Sequence, residues 1–202
     1  MNEISKEKYD FSKYNHRSRW MSYWHQIDEV LRLKPDSVLE IGIGDKTVVN
    51  FLKSQGVNIT TLDINKDLKP DVIGSVLTMP FRDSSFDVVL CAEVLEHLPF
   101  EKFEEGLKEL KRVSRKNLVL SLPHFGRSLK FSFKIPLIKE KRIACRLAFP
   151  IKHEFNGEHY WEIGKKGYPP DKIRKIIKKY FQIKKEFIPF ENQYHHFFIL
   201  EK

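Results

Sequence analysis

Residues 38–52 read VLEIGIGDKTVVNFL. Two glycines, Gly42 and Gly44, stand where an apolar run (Val38, Leu39, Ile41, Ile43) gives way to helix-like spacing. A glycine at such a junction permits a tight turn, and it also lets a ligand reach backbone N–H groups at the start of a helix. Asp63 follows Gly42 by 21 residues, at the end of the next apolar run. A carboxylate there can accept two hydrogen bonds from a ribose diol. The combination points to a ligand that contains adenosine. A dinucleotide-binding turn carries a third glycine three residues after the second, and Thr47 holds that position. Asp45, beside the turn, would repel a pyrophosphate and suits a ligand carrying positive charge. Its other reading is a cap for the following helix, and the two roles are compatible.

Further along, His124, His159, Tyr160 and Glu162 are the side chains able to take or orient a proton. A histidine that only hydrogen-bonds to its own loop is the competing reading for each imidazole. Cys91 and Cys145 are far apart and match no metal-ligand spacing, so no metal is expected. His97, in EHLP, is read as stabilising the start of a helix, and His195 and His196 as parts of a closing strand.

These residues need elements to hold them. A helix is expected from about Arg17 to Leu33, with Trp20, Trp24, Ile27, Val30 and Leu31 on its apolar side. Strands follow at Ser37–Ile43, Asn58–Ile64, Asp71–Ser75, Phe86–Cys91 and Asn117–Leu122, and helices at Lys46–Ser54 and Phe100–Ser114. A basic helix over Pro170–Phe181 and strands at Gln182–Pro189 and His195–Leu200 close the chain. Alternation of this kind predicts a doubly wound, mostly parallel α/β sheet of seven strands, with ligands at the strands' carboxyl ends. Residues 123–168 interrupt the pattern and form an insertion after the fifth strand, a lid or acceptor-binding segment with LKFSFKI as a strand. Residues 1–34 are an N-terminal arm and helix, and the whole chain of 202 residues is expected to be one domain.

The net charge is +9. Residues 125–152 hold eight lysines or arginines against Glu140 alone. They are interleaved with aromatic residues, and Phe131, Phe133, Phe149, Phe155, Tyr160 and Trp161 span the insertion. Such a segment would draw an anionic partner: a phosphorylated metabolite, a nucleic acid or an acidic membrane surface. No apolar run approaches the roughly 20 residues of a membrane span, and MNEISKEKYD lacks the apolar stretch of a secretory signal. A reducing cytoplasm is the expected location.

Four stretches, VLEIGIGD, TLDIN, GSVLTMPFRDSSFDVVLCAEVLEHLP and NLVLSLP, in this order and spacing, resemble the class I S-adenosylmethionine-dependent methyltransferases of the small type 11 branch. The resemblance covers roughly residues 36–123. It implies a Rossmann-like methyltransferase fold, S-adenosyl-L-methionine as cofactor and S-adenosyl-L-homocysteine as product. It also implies roles by position. Glu40, Gly42 and Gly44 would hold the methionine end, and Asp63 the ribose. Ser75 and Val76 would flank the adenine, and Cys91 to Glu93 would form the floor near the methyl group. Two departures stand out: Ser75 replaces an acid that often meets the adenine amino group, and Asp45 stands in place of the family's third glycine. The acceptor is expected to be small or lipid-like and anionic, with His124, His159 or Tyr160 as catalytic groups. An RNA-modifying methyltransferase and a non-catalytic cofactor-binding module are the alternatives. Cys145 lacks the context of a base-methylating nucleophile, and no N-P-P-[YF] segment occurs.

Overall fold

The computed structural model describes residues 15–147, 150–155 and 157–202. Most of the expected N-terminal arm, and Phe149 in the insertion, lie outside them.

Helix α1 (Arg17–Arg32) starts with the His16 side chain accepting from the Arg19 N–H. Strand β1 (Val38–Ile41) leads through the glycine turn into α2 (Thr47–Ser54). Strands β2 (Ile59–Asp63), β3 (Val72–Ile73) and β4 (Phe86–Ala92) follow. Two short 3-10 turns, Leu95–His97 and Phe100–Lys102, then lead into α3 (Phe103–Val113). After β5 (Ser114–Pro123) comes a separate hairpin, β6 (Arg127–Phe133) and β7 (Lys141–Leu147). Helix α4 (Pro170–Ile177) and strands β8 (Gln182–Phe187) and β9 (His195–Glu201) complete the fold.

Seven strands form one sheet in the order β3-β2-β1-β4-β5-β9-β8. The pairs β1–β2, β1–β4, β2–β3 and β4–β5 are parallel, and β9 runs antiparallel to both of its neighbours. The fold expected from the alternation is therefore present. Strand order reverses between β1 and β4, the place where open α/β sheets leave a crevice beyond their carboxyl ends. Residues 38–41 and 86–91 are buried without alternation, because helices cover both faces. On one face, α3 seats Phe103, Leu107, Leu110 and Val113, each fully buried, at helical spacing. Each such side chain contributes about 1.5–3 kcal/mol of burial free energy.

Two sequence expectations need correction. The buried side of α1 is Ser22, Tyr23, Gln26, Glu29 and Val30, whereas Trp20 and Trp24 are exposed. The tryptophans sit one step round the helix from the stripe that meets the sheet, so hydrophobicity alone misassigned the face. Within the insertion, LKFSFKI does pair as a strand, but its partner β7 was not foreseen, and Trp161 and Ile163 of HYWEIG belong to the main core. Both are fully buried, and Ile163 bridges His124 in parallel.

Candidate active site

The turn from β1 to α2 is built by left-handed backbone. Gly42, Gly44 and Lys46 have φ of 76°, 49° and 65°. Lys46, rather than Asp45, therefore occupies the conformation that a third glycine would ease. At Gly42 a second requirement applies: an added Cβ would come within 2.5 Å of Val94 Cγ2. The turn thus packs directly on the segment that follows β4. Gly42 keeps that contact close as well as keeping the backbone open.

Asp63 ties the turn to β2. Its carboxylate accepts from the Ile43 N–H at 2.9 Å and, through the other oxygen, from the Asn65 N–H at 2.8 Å. Each oxygen retains a further lone pair for a diol. Asp45 accepts from the Thr47 N–H at 3.0 Å and from the Asn15 amide at 2.7 Å, so it caps the first turn of α2. Glu40, beneath the turn, is buried, and its Oε2 has no hydrogen-bond partner. Burial first, then the charges of Asp45 and Asp63, push its carboxyl up to about 8. Three carboxylates around a glycine turn, one of them unmatched, favour a cationic group and disfavour a pyrophosphate. The residues present thus fit a ligand with ammonium and sulfonium charges and a ribose diol.

The other expected contacts divide. Val76 is buried in the core under α3, and the Ser75 hydroxyl accepts from the Leu77 N–H at 3.2 Å, which commits it to its own turn. The Cys91 side chain is fully buried in that same core, and burial raises its thiol well above the ordinary range. Its thiol does not form an open floor; its backbone lies at the carboxyl end of β4. Glu93 comes next, with φ of 54°, a strained conformation for a long side chain. It accepts from the Ser121 hydroxyl at 2.7 Å, and His195 Nε2 lies 3.7 Å from its other oxygen. Burial pushes its carboxyl upward.

Around Glu93 gather groups from distant parts of the chain. His159 Nδ1 lies 3.2 Å from Glu162, and the Tyr194 hydroxyl donates to Glu162 at 2.7 Å. Burial raises Glu162, but the hydrogen bonds from His159 and Tyr194 outweigh it and hold this acid below the usual carboxylate range. Burial and Glu162 push the Tyr194 phenol far up, so it stays a donor. Glu96 is fully buried, and burial followed by the charge of Glu93 raises it well above its ordinary value.

Two of the expected catalytic side chains do not join this group. His124 stacks on His196, with their Nδ1 atoms 3.0 Å apart, and the Arg146 guanidinium donates to its carbonyl. Burial first, then Arg146 and His196, lower His124 to about 3. The Tyr160 ring rests against Phe155 on the outside, and its backbone N–H donates to the Glu96 carbonyl. Glu96, His97, Tyr194 and His195 were missed or set aside by the sequence reading. The available signal was the antiparallel last strand: its first residue, His195, pairs with Pro123, the last of β5. The start of β9 must therefore lie at the functional edge.

Comparison with known proteins shows what the chain is similar to. Residues 39–121 match the family model described as a methyltransferase domain, Methyltransf_11. An uncharacterised protein of Methanocaldococcus jannaschii is 34% identical over 83 residues, which are 38% of this chain and 35% of that protein. A demethylmenaquinone methyltransferase of Corynebacterium efficiens is 29% identical over 107 residues, 48% of this chain and 46% of the relative. The chain thus aligns with less than half the length of each. A crystal structure of magnesium protoporphyrin IX methyltransferase from Synechocystis with bound S-adenosylhomocysteine shares the fold, with a TM-score of 0.64 at 14% identity, covering 100% of this chain and 90% of that one. Residues 39–121 are thus similar to the methyltransferase domain of the type 11 branch, and the chain shares the fold of a methyltransferase crystallised with S-adenosylhomocysteine.

Proposed function

We propose that this protein transfers a methyl group from S-adenosylmethionine to a small or lipid-like acceptor. The observation that carries the reading is the convergence of Glu40, Asp45 and Asp63 on the β1–α2 turn at the sheet's switch point. When bound, the cofactor supplies a methyl group already activated by its sulfonium. The chain's own residues do the rest. Asp63 accepts from the ribose hydroxyls while holding the Ile43 N–H. Glu40 and Asp45 face the cationic methionine end. Backbone near Ser75 and Val76 recognises the adenine, since the Ser75 hydroxyl is already engaged. Glu93, held by Ser121, closes the acceptor side. His159, oriented by Glu162, is the imidazole best placed to serve the acceptor, in preference to His124 or Tyr160. Alignment of this kind contributes on the order of 7–11 kcal/mol.

The insertion supports the acceptor class. One face of the hairpin carries Leu129, Phe131, Phe133 and Ile143, all exposed. Its other face turns Lys130 and Arg142 onto Glu191 and over the Phe190 ring. An outward apolar face beside Lys134, Lys139 and Lys141 suits an anionic lipid surface better than stacked bases. Beneath it, His16, Arg17, Lys130 and Arg142, with Glu140, Phe190 and Glu191, border a cavity of about 550 Å³, cationic on balance. The quinone-like substrate named for the Corynebacterium relative agrees with a lipid-like acceptor.

Incubating the protein with methyl-labelled cofactor and either a lipid extract or total RNA tests the reading. Label in an organic-soluble product is expected. Label in RNA alone would replace the lipid-like acceptor by RNA, and no transfer to any fraction would favour a non-catalytic binding module.

A further inference from the structure

The group around Glu96 has more chemistry than methyl alignment uses. Glu96 is fully buried, and neither of its carboxylate oxygens has a hydrogen-bond partner. Leaving a buried polar atom unmatched costs about 1–3 kcal/mol, and more for a charged group. No lysine or arginine is paired with Glu96 among the described residues; its neighbours are imidazoles and the carboxyl groups of Glu93 and Glu162. One ligand-type atom from each of Glu96, His97 and His159 lies within 4.8 Å of the other two. Donors about 2.0–2.2 Å from a common ion sit roughly 3–4 Å apart, so small side-chain rotations close this set.

The surroundings of the two histidines are those of metal ligands. His97 Nδ1 lies 3.0 Å from the Glu158 carbonyl, and His159 Nδ1 lies 3.2 Å from the Glu162 carboxylate. Each acceptor fixes the ring N–H at Nδ1 and puts the lone pair on Nε2, the tautomer that metal-bound histidines owe to their outer partners. His159 Nε2 is 4.0 Å from Glu96 Oε1. Tyr194 holds Glu162 from behind, and the Tyr160 N–H donates to the Glu96 carbonyl, which pins the 158–162 stretch to the 93–97 turn. Three carboxyl groups, Glu93, Glu96 and Glu162, surround the position, and a bound divalent ion would favour their ionised forms.

The geometry points to a divalent-cation site formed by the Glu96 carboxylate and the imidazoles of His97 and His159. Two nitrogens and one carboxylate favour a borderline ion such as Mn²⁺, Fe²⁺, Co²⁺ or Zn²⁺ over Ca²⁺, which takes six to eight oxygens. Three protein donors leave coordination positions open. The site stands one turn beyond β4, and Val94 within that turn packs on Gly42. Granted the methyltransferase reading above, the open positions receive an oxygen of the acceptor, and the lone pair of His159 serves the ion rather than a proton. The acceptor class narrows accordingly to molecules with a hydroxyl, enol or phenol oxygen to be methylated or held.

Titrating chelator-treated protein with Mn²⁺, followed by electron paramagnetic resonance, and with Zn²⁺, followed by calorimetry, tests the site. One ion per chain is expected. Glu96→Gln and His159→Ala should each weaken it by about 10–100-fold or more, while S-adenosylhomocysteine affinity stays within a few-fold. His97→Ala makes the same comparison should Glu96→Gln fail to fold. Absence of saturable binding up to millimolar ion, or equal binding by the wild type and His159→Ala, overturns the site. Ion binding by a wild-type protein that ignores S-adenosylhomocysteine would keep the site and remove the methyltransferase reading; the reverse pattern would do the opposite.

Discussion

Glu40 shows how a single residue connects the turn to its ligand. Its burial beside two other acids holds its carboxyl at about 8, so below that pH it carries a proton. Binding a cation beside it expels the proton. Affinity for S-adenosylmethionine is therefore expected to rise with pH up to about 8 and to level off above it, and Glu40→Gln should flatten the slope; calorimetry across this range reads it directly. The same shift destabilises the unliganded fold. Its folded value lies above the ordinary 4.5, so the stability it contributes is full below 4.5 and is lost as pH rises through 8. Gly42 and Asp63 stand out in the sequence because each belongs to one short local pattern, and Glu40 enters through the family resemblance. Glu96 and Tyr194 were not, because their meaning arises only when residues 96, 159, 162 and 194 meet across the folded chain. Gly42 was half legible: its contact with Val94 is a packing demand that the sequence does not display.

At the scale of elements, β5 and β9 form a seam that depends on neutral imidazoles. His124 and His196 stack there, and His196 Nε2 lies 2.7 Å from Glu186. Burial is the main cause that lowers both to about 3 from the ordinary 6.5. Their contribution to stability is complete above pH 6.5 and is lost as pH falls towards 3. Chemical denaturation should show stability already declining between pH 6.5 and about 5, above the main carboxylate range, and His196→Asn should make the decline shallower. A flat profile in the wild type would contradict the neutral pair. Helix α3 was legible from its apolar spacing, and Leu107→Ala there should cost about 2–5 kcal/mol by denaturant titration. The β6–β7 hairpin was harder to read. LKFSFKI alternates clearly, but KRIACRL mixes charge into its strand, and the outward apolar face breaks the rule that apolar residues turn inward. Replacing Phe131 and Ile143 by serine should reduce sedimentation with vesicles of anionic lipid at least several-fold without changing cofactor affinity. Unchanged sedimentation would remove the lipid-facing role.

For the molecule as a whole, the fold follows from alternation of apolar runs and helical patterns, which is why the seven strands and the place of the insertion came through while the hairpin's second strand did not. Residues 125–152 carry eight of the lysines and arginines against Glu140 alone, whereas Glu40, Asp45, Asp63, Glu93, Glu96 and Glu162 gather around the glycine turn and the 93–97 segment. No helix among the described residues is long and apolar enough to cross a membrane. The central claim is that a methyl-donor nucleoside is held at the β1–α2 turn by Asp63. Calorimetric titration of wild type and Asp63→Ala with S-adenosylhomocysteine and with NAD tests it most directly. The account predicts saturable binding of S-adenosylhomocysteine to the wild type, its loss in Asp63→Ala, and no binding of NAD. Binding of NAD in preference to S-adenosylhomocysteine, or S-adenosylhomocysteine affinity within a few-fold in the variant, would contradict it.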